Sequence, residues 1–468
     1  MSRVRYEFAG RLVTVSPLHV GSGEFRHVAT VTGREGSDKR PEVARIVRDG
    51  CGRPYLPGTA IKGLLRRLAE EIDDADFATC REQLFGIIKT ARDDGEPTGR
   101  NLGRMGTLLC RGAEQVGPPP DTRDAPFADA EPVTADDQKI GPGIFVAART
   151  RIDPKTGTAK DSGLFFQEMV APQTQFAFRC TLDLRGDAAA GGERLASGLI
   201  RVLDRLTGDA GEAIGKGQAD GLGRIRLDRD LTVYRHVLDG EGRFTREDAT
   251  ALWTGRERGA LDTEAEVLDL VCDGPFIVID ASHRPEPGET RDGAPHLAAQ
   301  RLAATMPLVL GSSVSGALRS RARWLAALDA HRSGDRTPVD GDRIVLRRSE
   351  IDSLTPVQRL FGVTGFRGLV EIDTIVAGEA EPWRITSVKL DRFSGAPVDN
   401  ALFTTEAFVG VRLTLRLRLT SRGETAPRDE DRSLYGKLVA DIRKNGLQLG
   451  HGGNKGFGWF SLAETANG

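Results

Sequence analysis

Apolar residues follow two different spacings along this chain, and the alternation between them predicts its elements. The opening stretch "VRYEFAGRLVTV" (4–15) alternates apolar with polar positions and predicts a strand. In "LPGTAIKGLLRRL" (56–68), Ile61, Leu64, Leu65 and Leu68 fall three or four residues apart. That spacing predicts a helix with one buried face, capped by Thr59, with Lys62, Arg66 and Arg67 left outside. Two further helices are predicted on the same grounds. "ERLASGLIRVLDRL" carries Leu195, Leu199, Val202, Leu203 and Leu206 on one stripe, and "RSLYGKLVADIRKNG" carries Leu434, Leu438 and Ile442. A glycine-dense loop and a short strand, "RIRL" or "WFSL", follow each of them.

The two loops are in register. "GKGQADGLGRI" (215–225) has Gly215, Gly217, Gly221 and Gly223; "GHGGNKGFGWF" (450–460) has Gly450, Gly452, Gly456 and Gly458, each 235 residues on. Other pairs occur in the same order. "VSPLHVGSG" (15–23) has a weak partner in "CDGPFIVID" (272–280), and "LPGTAIKGLLRRL" matches "VLGSSVSGALRSR" (309–321). "QLFG" (83–86) recurs as "RLFG" (359–362), and "RIDPKTGTAKDSGLFFQE" (151–168) aligns without gaps on "KLDRFSGAPVDNALFTTE" (389–406). One copy reads strand, helix, strands, helix, glycine loop, strand. The expectation is therefore an α+β chain of two tandem ferredoxin-like domains, RRM-like in their β-α-β-β-α-β order, each with a hairpin-like insertion. The first domain is expected over 1–228, with a Pro- and Asp-rich surface loop at 113–142. A linker follows over 229–263, with a short helix at "ATALWTG", and the second domain spans 264–468.

The 468 residues suit two domains. A composition 39% hydrophobic and 28% charged is that of a globular protein, and no apolar run is long enough for a membrane span. The N-terminus lacks the apolar core of a signal peptide, so a cytoplasmic chain without membrane partners is expected. Five scattered cysteines form no C-x-x-C pair, which points away from a zinc site or a disulfide framework. The net charge of −2 argues against indiscriminate nucleic-acid binding through overall charge, but 65 Lys and Arg can still gather in one groove.

Glycine loops bring a backbone close to phosphates, and Lys216 or Lys455 adds charge, so an extended anionic partner fits them. Tight helix-to-strand packing would require the same glycines. A Walker loop is excluded, because its lysine and hydroxyl residue would follow the last glycine and open a helix, and here a strand follows. His19 reads as structural, and His451 as facing either a phosphate or water.

Taken together, these motifs resemble the RAMP superfamily, the repeat-associated proteins of CRISPR systems. "SPLHVGSG", "YLPGTAIKGLLRRL", "LFG" and "RTRIDPKTGTAKDSGLFFQE" are similar to the backbone subunit that lines the guide RNA in type III effector complexes. Two copies in one chain look like a tandem fusion of the type III-D kind. The resemblance implies a palm and glycine loop that hold the guide backbone. Lys62, Arg66, Arg67, Lys216 and Arg224 match its RNA-binding positions in copy one, and Arg319, Arg321 and Lys455 in copy two, with the glycines at 215, 217, 221, 223, 450, 452, 456 and 458. It implies a thumb that wedges between bases, carrying Arg151, Asp153 and Lys155 in copy one and Lys389, Asp391 and Arg392 in copy two. Ser315 stands where Lys62 would be.

Cleavage in the family depends on an aspartate between the first strand and first helix, with a divalent ion such as Mg²⁺. Copy one offers Asp38, Glu42 and Asp49 there, and copy two Glu289 and Asp292. Asp38 and Asp292 stand at nearly the same distance before Gly58 and Gly311 and are the catalytic candidates. The implied function is to hold guide RNA and cleave complementary target RNA beside other type III subunits. A non-catalytic scaffold of the same complex and a guide-processing endoribonuclease are the alternatives.

Overall fold

In a computed structural model of the chain, the described residues are 3–27, 42–87, 104–128, 140–153, 156, 158–185, 191–238, 241–254, 265–283, 295–335, 337–422 and 425–463. Asp38, Asp292, Glu289 and Lys155 lie outside them.

The chain is mixed α+β and rich in strands. In the first copy the alternating opening segment forms the strand Arg3–Thr14, with Val4, Tyr6, Phe8 and Leu12 buried. It lies between Gln175–Arg185 on one side and Arg224–Leu227 on the other, and all of these pairings are antiparallel. Leu108–Cys110 pairs with the far edge of Gln175–Arg185. The second copy repeats the order. Glu266–Cys272 lies between Val411–Leu419 and Trp459–Leu462, and Val370–Ala377 pairs beyond Val411–Leu419.

The helices Gly58–Glu70 and Gly192–Asp204 bury the predicted stripes, and Ile61, Leu64, Leu65, Leu68, Leu195, Leu199, Val202 and Leu203 join one core with Phe8 and Leu12. In copy two Gly311–Ser333 and Asp429–Asn445 do the same through Val314, Leu318, Leu434, Leu438 and Ile442. "QLFG" and "RLFG" close two shorter helices, Ala75–Phe85 and Pro356–Phe361.

Four expectations are corrected. Thr59 caps nothing, because the helix begins at Gly58 after Pro57 and Thr59 already lies in its first turn. The segment 113–142 is not simply a surface loop: Ala113–Val116 joins the sheet beside Gln175 and Phe176, and Phe127 packs edge-on against Phe166. Residues 229–263 are not simply a linker. Thr232–Leu238 pairs with the opening strand and Phe244–Asp248 with Thr232–Leu238, while the predicted short helix forms at Ala251–Thr254 and sets Trp253 into the first core. Finally, the weak pair near the start of each copy is shifted by one residue. Gly223 N–H donates to the Pro17 carbonyl and Gly458 N–H to that of Pro275, so Pro17 corresponds to Pro275.

The copies meet where the first glycine loop ends. Leu222 packs with Leu308 and Leu310, and a Cβ on Gly311 would fall 1.6 Å from the Asp220 carbonyl oxygen. Beside this contact Arg224, only 1% exposed, lies 3.8 Å from both Glu371 and Asp373 of the second copy. Glu371 also meets Arg367, Arg418 and Arg422. Burial alone would raise the Glu371 pKa, yet Arg422, Arg224, Arg418 and Arg367 together pull it from 4.5 to about 2. Arg224 is therefore spent between the copies and is not offered to a phosphate.

Two outcomes are expected. Replacing Arg224 by Ala leaves buried carboxylates without their cation and costs about 3–5 kcal/mol in urea-unfolding experiments. Because the folded pKa of Glu371 lies below its unfolded value, its contribution is complete above pH 4.5 and drains away between 4.5 and about 2. Unfolding curves across that window, compared with those of Glu371→Gln, measure the loss directly.

Candidate nucleic-acid interface

Each glycine loop joins two short paired strands, Glu212–Ala213 to Arg224–Leu227 in copy one and Leu447–Gln448 to Trp459–Leu462 in copy two. All eight paired glycines adopt positive φ, from +70° to +85°, where side chains are rarely accommodated. Space forbids a side chain as well. A Cβ on Gly223 would lie 1.9 Å from the Ile214 carbonyl oxygen, and one on Gly458 would lie 1.9 Å from that of Leu449. Close backbone packing is thus a sufficient reason for these glycines. What the loops present outward is set by the residues between them.

At the first loop, Lys216 is exposed, and its N–H donates to the His19 carbonyl. His19 is buried, and burial lowers its pKa, with Lys216 and Arg149 acting in the same direction. The neutral ring donates from Nδ1 to the Glu168 carbonyl, 2.8 Å away. His19 thereby ties the glycine loop to the base of the thumb. In copy two the corresponding carbonyl belongs to Ile277, which accepts from His451 N–H.

The thumb of copy one is the hairpin of Ile144–Ile152 and Ala159–Val170; that of copy two pairs Glu381–Leu390 with Pro397–Val409. Glu168, fully buried, closes the base of the first. Its carboxylate accepts from Ile46 N–H, Arg26 and Arg48, so it joins the thumb to both strands that flank the Asp38 segment. Glu406, its counterpart, accepts from Arg301 and Arg384. Arg149 lies between the thumb base and the loop, 5.8 Å over the Phe165 ring, with Nε and Nη2 lacking hydrogen-bond partners. Lys216 is the exposed cation at this junction, while the unpaired Arg149 nitrogens are buried in it.

The helix cations are largely engaged within the protein. Lys62 donates to the Leu108 carbonyl at 2.8 Å, Arg66 pairs with Glu70, and Arg67 reaches Glu71, Glu212 and the Ala213 carbonyl. Arg319 makes a forked bond to Asp340 and also reaches the Gly362 carbonyl, while Arg321 pairs with Asp441 beside Trp324. Lys455 is exposed, but it corresponds to Asp220, on the face that the first loop turns toward the second copy.

The thumb aspartates are turn formers. Asp391 accepts from Phe393 N–H and from the Ser394 amide and hydroxyl, which hold its pKa below the usual range; Asp153 accepts from Thr156 N–H. Lys389 and Arg392 are exposed near the tip, and Phe393 there is wholly exposed. Arg151 pairs with Asp342 of the second copy. Leu164 and Phe165 in one thumb, and the matching Leu402 and Phe403 in the other, all project into solvent. Apolar pairs repeated at one position on two hairpins suit stacking against bases.

Among the described residues no three His, Cys, Asp or Glu side chains gather as metal ligands. Asp49 is bound by the amides of Cys51 and Arg53 and by the Arg53 side chain, Glu168 is bound by arginines, and Glu42 is exposed. None of these three carboxylates belongs to such a cluster.

Two copies of one α+β unit, each with a glycine loop and a thumb, define the class of protein. The chain matches the model of the RAMP superfamily over residues 11–226 and again over 250–461, and it belongs to that superfamily, whose members are CRISPR-associated RNA-binding proteins. No curated protein matches it. Among the described residues no helix is long and apolar enough to cross a membrane.

Replacing Glu168 by Ala strands Arg26 and Arg48 in the interior and is expected to cost about 3–5 kcal/mol. Hydrogen exchange should quicken first in residues 21–27 and 42–46, the strands it joins to the thumb.

Proposed function

We propose that this chain is a backbone subunit of a type III CRISPR ribonucleoprotein. Each copy is read as a ferredoxin-like palm that holds guide RNA, with its thumb entering the guide–target duplex. The observation that carries this reading is the doubled family match. The repeated apolar pairs on the thumbs and the exposed Lys216 of the first glycine loop support it. RNA held in this way is bound through backbone and shape, with sequence delegated to base pairing.

Cleavage of the paired target at Asp38 and Asp292 belongs to the same proposal. A thumb that lifts a nucleotide out of the duplex leaves the adjoining phosphodiester free to adopt an in-line geometry. The aspartate accepts the proton of the neighbouring 2′-hydroxyl, whose oxygen attacks phosphorus while the 5′-oxygen leaves and takes a proton from water. The products are a 2′,3′-cyclic phosphate and a 5′-hydroxyl.

Asp38→Ala and Asp292→Ala, each assembled on a guide with labelled target, should each remove one product while binding is retained. Unchanged products from both would leave the chain as a scaffold. Lys216→Glu should weaken guide binding equally for all sequences and lower the slope of log K against log salt by about 1, read by filter binding.

A further inference from the structure

The contact between the two copies provides an internal template for a second contact. Copy one turns the end of its glycine loop toward copy two: Asp220 abuts Gly311, a Cβ on Gly221 would lie 2.5 Å from the Ile372 carbonyl oxygen, and Arg224 is buried against Glu371 and Asp373. The matching face of copy two has nothing on it among the described residues. A Cβ on Gly456 would meet no atom within 4 Å. Trp459, which occupies the place of Arg224 at the start of the last strand, is 53% exposed, and Leu462 on the same strand is 38% exposed. A tryptophan left half in water where its counterpart is buried marks an unfilled interface.

The residues at this face also say what does not fill it. Arg224 has become Trp459, and Asp220 has become Lys455. In a second copy of this chain Glu371 and Asp373 are already covered by that chain's own Arg224, and the helix beside them, Gly311–Ser333, holds no acid in its first turn to meet a lysine. Nor is the front of copy one free to receive the loop. Ala113–Val116 pairs with Tyr55–Leu56 across it, Tyr55 packs on Gly112, and a Cβ on Gly58 would meet the chain's own Cys110 carbonyl oxygen at 2.3 Å.

We infer that the second glycine loop docks a different protein. That partner presents the start of a helix with an acidic first turn opposite Lys455 and an apolar surface opposite Trp459. The chain therefore joins its assembly in one direction and does not polymerise on itself. The inference stands on the geometry of the repeat, whether or not either copy cuts RNA.

The test places a photo-reactive p-benzoylphenylalanine at position 459 of the tagged full-length chain, expressed in its native host. Cross-links should land on one other polypeptide, at the start of a helix with an acidic first turn, and should survive ribonuclease treatment. Lys455→Glu should lower their yield about tenfold without changing the melting curve. Cross-links to a second copy of the chain or to nucleic acid would overturn the inference. So would acrylamide quenching of Trp459 that is equal in the isolated chain and in material purified from the host. Loss of RNA cleavage or RNA binding elsewhere in the chain leaves each of these readouts unchanged.

Discussion

One buried cation makes a unit of the two copies. Arg224 opens the strand Arg224–Leu227, donates to the Gly211 carbonyl in its own copy, and reaches Glu371 and Asp373 in the other. An arginine so deeply buried requires carboxylates, and a carboxylate held near pKa 2 requires its ring of arginines. Neither charge is compensated by the other unless the copies keep one relative position. The apolar contact of Leu222 with Leu308 and Leu310 adds area to the junction, while the charges add direction.

That junction bears on function because it sets the distance between two thumbs. Each thumb is anchored at its base by a buried or half-buried glutamate, Glu168 or Glu406, held by two arginines. Each ends in a turn built by an aspartate. With their bases anchored and the copies fixed, the two hairpins stand at a constant separation. The glycine loops contribute shape before charge, since their glycines are required by positive φ and by carbonyl oxygens too close to admit a side chain.

Much of this architecture was legible in the sequence because it rests on periodicity. The alternation in Arg3–Thr14 and the stripes on Gly58–Glu70 and Gly192–Asp204 are local signals, and the offset of 235 residues between the glycine loops is a count. The parts that escaped depend on tertiary partners. Arg224 has the same local context whether it faces RNA or Glu371, and the helix cations look free until Asp340, Glu212 and Asp441 are placed opposite them. The Ala113–Val116 strand escaped because prolines and aspartates follow it, and pairing with Gln175 and Phe176 on one side and Tyr55–Leu56 on the other defines it. Glu168 and Glu406 had a signal, their identity within the eighteen-residue repeat, but nothing local distinguishes an anchor from a solvated acid.

The most direct measurement is a ribonuclease footprint of guide RNA on the full-length chain. Two protected stretches of equal length, separated by a sensitive point at the thumb, are the result predicted for two palms held at a fixed step. A single unbroken footprint, or protection by only one copy, would contradict it.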